Sequence, residues 1–225
     1  MVKAQATKAA EETAAKNSKG AQLVIQPPNF QIAEFRIRGT APYVQNKFSA
    51  KAREAMKATQ EAGQTGKKGK AKVPKDFQAS YKAAMHRSGA GWHGIPAPAF
   101  RNAMISACKA VGFHMTKAKL SVFAMADGID VDDGTPLVKI SKGKPAYHEG
   151  LVRLASGVCD IRPRPMWPIG WEAQVRIRFD ADQFTLTDVA NLMVRAGIQV
   201  GIGEGRPDSK SSCGCDWGTF EVLGK

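Results

Sequence analysis

Trp171, Ala173, Val175, Ile177 and Phe179 alternate with Glu172, Gln174, Arg176 and Arg178. A period of two puts the apolar set on one face of a strand and the polar set on the other. The same alternation runs through 31–39, where Ala33, Phe35 and Ile37 oppose Glu34, Arg36 and Arg38. In GIPAPAFRNAMISACKAVG (94–112), Phe100, Ala103, Met104, Ala107, Cys108 and Val111 recur at helical spacing, and Pro98 suits a first turn. This predicts a core helix. A second helix is predicted after Thr185, a cap with Asp188 three residues on. It carries Leu186, Val189, Leu192, Met193 and Ala196 on one face, with Gly197 at its C′ position. Strands are further expected at 117–126, at PLVKI, twice within GLVRLASGVCDIRP, and at the end, where Phe220 and Val222 resume a period of two.

The order is strand, long insertion, helix, strands, then strand, helix, strand. It predicts an α+β fold, a ferredoxin-like (RRM-like) antiparallel sheet with two helices and a large basic insertion after the first strand. Residues 1–22 carry Ala, Lys, Glu and Ser without a face to bury, and read as a disordered tail. Residues 23–225 read as one domain, with 43–94 as an inserted finger. Gly201, Gly203 and Gly205 alternate ahead of Arg206 and Pro207. A dinucleotide fingerprint needs a strand before the glycines and a helix after them; here a helix comes first. The expectation is a glycine bed that admits close approach of a backbone, the chain's own or a ligand's.

Charge narrows the partner. Lys and Arg outnumber Asp and Glu 33 to 20, giving +13, which favours a polyanion, most often nucleic acid. Eleven Lys/Arg against three acids between Lys47 and Arg87 make that segment +8. Lys47, Lys51, Lys67, Lys68, Lys70 and Lys72 are the finger cations expected to meet phosphates. Tyr43, Phe48, Phe77, Tyr81 and Trp92 are interleaved; they could stack on bases or simply pack the insertion. If both Arg-bearing strands share a sheet, Arg36, Arg38, Arg176 and Arg178 form a cationic face, with an ordinary solvated face as the alternative. No metal or cofactor is expected. Cys213 and Cys215 lack a second ligand pair, and Asp127–Asp133 lacks the ligand order of a calcium loop and reads as an acidic turn. No run of 18 apolar residues exists and the first 20 residues have no apolar core, so neither a membrane span nor a secretory leader is expected.

Two stretches resemble the RAMP superfamily of CRISPR effector proteins, in particular the backbone subunit that coats guide RNA. GIPAPAFRNAM (94–104) is similar to the IPGSSLKGALR-type helix start, and 197–222 resembles the glycine-rich loop before the last strand. Pro98-Ala99-Phe100 and the acidic Glu204 depart from the family pattern. The ending also resembles that of small tailed-phage proteins. The resemblance implies a non-enzymatic protein that coats single-stranded RNA or DNA as a homo-oligomer or filament, in the cytoplasm (the host's, if phage-encoded). It also implies that Gly201, Gly203, Gly205 and Arg206 contact phosphates. Two alternatives stay open. One is a phage structural or assembly protein using the insertion for subunit contacts. The other is a RAMP-type metal-independent ribonuclease drawing on His86, His93, His114 or His148.

Overall fold

The computed structural model describes residues 26–61, 63, 74–153, 159–209 and 215–224. Residues 1–25, the expected tail 1–22 among them, and the finger lysines Lys67, Lys68, Lys70 and Lys72 lie outside the described residues, as does the side chain of Lys51.

The fold is mixed α and β with antiparallel sheets, the larger curled into a half-barrel. Its centre is β1 (Phe30–Gly39) against β9 (Glu172–Asp180), paired from Phe30↔Asp180 to Arg38↔Glu172. That register aligns the two alternating patterns, so Ala33, Phe35, Ile37, Ala173, Val175, Ile177 and Phe179 are all buried on one face. β10 (Phe220–Leu223) flanks β1. On the other side, β4 (Val122–Ala124) pairs with one end of β9 and β6 (Pro136–Lys142) with the other. β3 (Gly94–Pro96) and β5 (Gly128–Ile129) pair with β6. A second sheet orders β2 (Tyr43–Val44), β8 (Cys159–Trp167) and β7 (Ala146–Arg153).

The core helix is α3 (Ala97–Ala110), which buries Phe100, Ala103, Met104, Ala107 and Cys108 as its spacing predicts. Val111, the last residue of that pattern, is the C-cap and is exposed. The helix α5 (Leu186–Arg195) opens on a full capping box: Asp188 N donates to Thr185 Oγ1 (3.1 Å) and Thr185 N donates to Asp188 Oδ2 (2.9 Å).

Two local expectations are corrected. Residues 117–121 are not strand; they lie in the helix α4 (Met115–Ser121), and only Val122–Ala124 extend. Ala118 and Ser121, three residues apart, are its buried positions. Nor does Gly197 end α5. The chain continues through a π-helical turn, Ala196–Val200, to Gly201, whose φ of 68° and bond from its N–H to Ala196 O (2.8 Å) close the helix. Gly197 is glycine for a long-range reason: a Cβ there would lie 2.1 Å from Phe220 O.

The insertion is only partly a finger. Tyr43 is buried between Trp167 and Trp171, with ring centroids 5.6 and 5.5 Å away, and Val44, Gln45 and Lys47 are buried beside it. The helices α1 (Ala50–Glu61) and α2 (Phe77–Ala83) follow outside this core. Of the other interleaved aromatics, Tyr81 packs on Tyr147 at 5.2 Å and Trp92 packs beside Gly94 and Gly128, whereas Phe48 is exposed. Among the described residues no helix is long and apolar enough to cross a membrane.

Candidate functional site

The glycine loop folds onto its own chain. Gly201, Gly203 and Gly205 all have positive φ (68°, 80° and 75°), a region that side-chain-bearing residues rarely enter. A Cβ on Gly203 would lie 2.5 Å from Val44 O, and one on Gly205 2.5 Å from the Trp217 ring. Backbone bonds fasten the loop: Glu204 N to Val44 O (3.0 Å), Ile202 N to Gly218 O (3.0 Å) and Gly218 N to Pro42 O (2.7 Å). Of the two approaches expected at this bed, the chain's own comes closest: the Val44 carbonyl at Gly203 and the Trp217 ring at Gly205.

So held, the loop forms one wall of a cleft of about 1100 Å³. The start of α3 contributes Pro98, Ala99 and Asn102, and the turn after β2 contributes Gln45 and Asn46. The facing wall is the β7–β8 ribbon. Register places His148 opposite Arg164 and Gly150 opposite Arg162, and all four line the cleft. Arg206 and Trp217 complete it, with Trp217 edge-on to His148 at 5.6 Å. Arg206 Nη1 donates to Gly203 O (3.1 Å). Arg164 is 9% exposed; its Nε donates to Glu204 Oε2 and its Nη1 to Pro163 O (3.1 Å).

The structure therefore divides the expected contact residues. Gly201, Gly203, Gly205 and Arg206 line the cleft. Arg36, Arg38, Arg176 and Arg178 lie on the outer face of the main sheet, answered by neighbours. Glu172 takes ion pairs from Arg36 (3.6 Å) and Arg38 (3.3 Å), and Arg176 pairs with Asp127 (2.9 Å). Arg178 lies over the rings of Phe30 and Phe123, 4.9 and 5.0 Å from their centroids. Lys47 does not project from a finger. Its ammonium is 2.5 Å from Asp130 Oδ1 and 2.6 Å from Asp132 Oδ2, with Lys47 and Asp130 side chains 1% and 0% exposed.

That buried pair reaches the cleft. Asp130 Oδ2 lies 2.8 Å from His86 Nδ1, and His86 lines the cleft next to Gln45, which accepts from the His86 backbone N–H. Burial alone would raise the Asp130 carboxyl, but hydrogen bonds from Lys47, from the Asp132 backbone and from His86 outweigh it and hold the group below the ordinary carboxylate value. His86, Asp130 and Asp133 bring potential ligand atoms within 4.8 Å of one another; the Lys47 ammonium already supplies the positive charge at that cluster. His93 is elsewhere, against the Trp167 ring at 5.7 Å, its basicity lowered first by burial and then by Arg87.

His148 enters the sequence reading only as a candidate for cleavage, and Arg162, Arg164 and Trp217 are not among the expected contact residues, although one signal was present. In Arg162-Pro163-Arg164-Pro165 the arginines are two apart, so both face one side of any strand. No family model matches this chain, and no curated protein matches it.

Proposed function

We propose that this protein binds single-stranded nucleic acid non-enzymatically, with the strand lying in the cleft between the glycine loop and the β7–β8 ribbon. One observation carries the reading: three arginines (162, 164 and 206) and the Trp217–His148 pair converge on a single open groove in a chain of net charge +13. Guanidinium groups suit phosphates and exposed rings suit unstacked bases. The strand order β10-β1-β9-β4, with α3 and α5 as the two crossovers, supports the ferredoxin-like plan. Exposed Leu151 and Ile161 on the ribbon are apolar surface for a neighbouring copy along the strand.

The test is fluorescence anisotropy with labelled single-stranded DNA and RNA. Affinity is expected to fall steeply between about 50 and 200 mM salt. The Arg206→Ala/Trp217→Ala double variant is expected to lose about tenfold or more. Binding indifferent to both salt and these substitutions would remove the reading. Discrete protein–oligonucleotide species larger than one-to-one, seen by light scattering, are expected of a coating oligomer.

The His86–Asp130 contact favours a second reading, metal-independent RNA cleavage. A buried carboxylate at Nδ1 orients the ring as it does in general-base histidines, and His148 lines the same groove. In that reading, RNA incubated in EDTA is cut to ends bearing a cyclic phosphate, and His86→Gln abolishes the cutting. Intact RNA with the wild-type protein leaves binding alone.

A further inference from the structure

We propose that Arg164 is the anchoring phosphate subsite of the cleft and that Glu204 is its resident counter-ion, displaced when a phosphodiester binds. The proposal rests on the nucleic-acid reading above and specifies where the first phosphate sits.

A buried guanidinium without an anion is costly, and Arg164 is buried. Glu204 answers it through Nε, and Pro163 O takes Nη1. Nη2 has no bond within the protein among the described residues, yet it is not sealed from solvent. The guanidinium thus keeps an open edge in a cleft wall that also holds Arg162 and Arg206. Arg162 is balanced by Asp160 at 3.2 Å, and Asp208 is the other acid lining the cleft.

Glu204 is built to leave. Gly203 and Gly205 on either side of it have positive φ, and its own N–H is fastened to Val44 O. Its backbone stays fixed while the side chain, partly exposed on the cleft, turns away on its own torsions. A carboxylate and a phosphodiester present the same pair of anionic oxygens to a guanidinium fork, so one replaces the other without moving the loop. This accounts for an acid inside a glycine loop that otherwise faces arginines.

The consequence is inverted in sign from an ordinary binding residue: removing Glu204 strengthens binding. Two probes are used, labelled oligo(dT) by anisotropy and inorganic tripolyphosphate by calorimetry. Glu204→Gln is expected to tighten both by about tenfold. Arg164→Gln is expected to weaken both by a similar factor, and Arg164→Gln/Glu204→Gln to bind like Arg164→Gln. Glu204→Asp keeps the charge but draws it back by one methylene; it is expected to tighten binding by a smaller factor, and decides the matter if Glu204→Gln does not fold. Oligonucleotide binding that is present but unmoved, or weakened, by both Glu204 variants overturns the subsite and leaves the nucleic-acid reading standing. Tripolyphosphate responding as described while every form ignores oligo(dT) upholds the subsite and overturns the nucleic-acid reading.

Discussion

Gly218→Ala is expected to lower stability by about 3 kcal/mol or more and to collapse the cleft. Gly218 has a φ of 71°, and a Cβ added there would lie 1.7 Å from Ile202 O and 2.8 Å from its carbonyl carbon. Both are backbone atoms, so no rotamer relieves the overlap. The Ile202 N to Gly218 O bond and the Gly218 N to Pro42 O bond would have to open, releasing the buried Ile202 and the loop that follows it. Gly91 provides the control. Its φ is 80° but nothing lies within 4 Å of a Cβ there, so Gly91→Ala should cost only the left-handed backbone strain, about 1–2 kcal/mol. Urea denaturation of the two variants separates strain from collision. Equal losses would mean that the close approach of 218 to 202 contributes nothing.

Lys47→Met is expected to cost about 3–5 kcal/mol, because it leaves the Asp130 carboxylate buried with its cationic partner gone. The pH dependence of this loss is its signature. Burial works against the charged form of both groups, but their mutual hydrogen bonds prevail: Asp130 is held below its ordinary value of 3.8 and Lys47 above its ordinary 10.5. A carboxylate with a lowered native pKa contributes its full stability above 3.8 and loses it as the pH falls through the native value. An ammonium with a raised pKa contributes fully below 10.5 and loses its share as the pH rises through the native value. The stability difference between wild type and Lys47→Met should therefore shrink as the pH falls toward and below 3.8, the more so because burial raises the unpaired carboxyl of the variant, and shrink again as the pH rises above 10.5. A difference that stays constant through the acid range would indicate lost packing of the lysine stem rather than a lost ion pair.

The parts of this chain legible in its letters are those in which cause and effect sit within one turn or one pleat. The Thr185–Asp188 box is a three-residue relation, and the buried face of α3 is a spacing of three and four. The opposed faces of β1 and β9 are a spacing of two. A local signal misleads where its cause is distant. Gly197 has the sequence position of a helix terminator but is glycine because Phe220 presses on it. Residues 117–121 alternate weakly like a strand, yet Ala118 and Ser121 meet the core as one face of a helix.

The candidate site divides in the same way. A basic chain and alternating glycines that permit a positive φ are properties of the sequence itself. Which cations remain available was decided only by the tertiary structure. Lys47 is buried against Asp130, whereas Arg36 and Arg38 share the single carboxylate of Glu172, more than 130 positions away, and stay 69% and 44% exposed. Arg162 and Arg164 gain a cleft because residues 43–46, 98–106, 148–151, 162–164, 200–209 and Trp217 converge on it. Coulomb pairing depends on distance in space and on burial, and neither is a function of spacing along the chain.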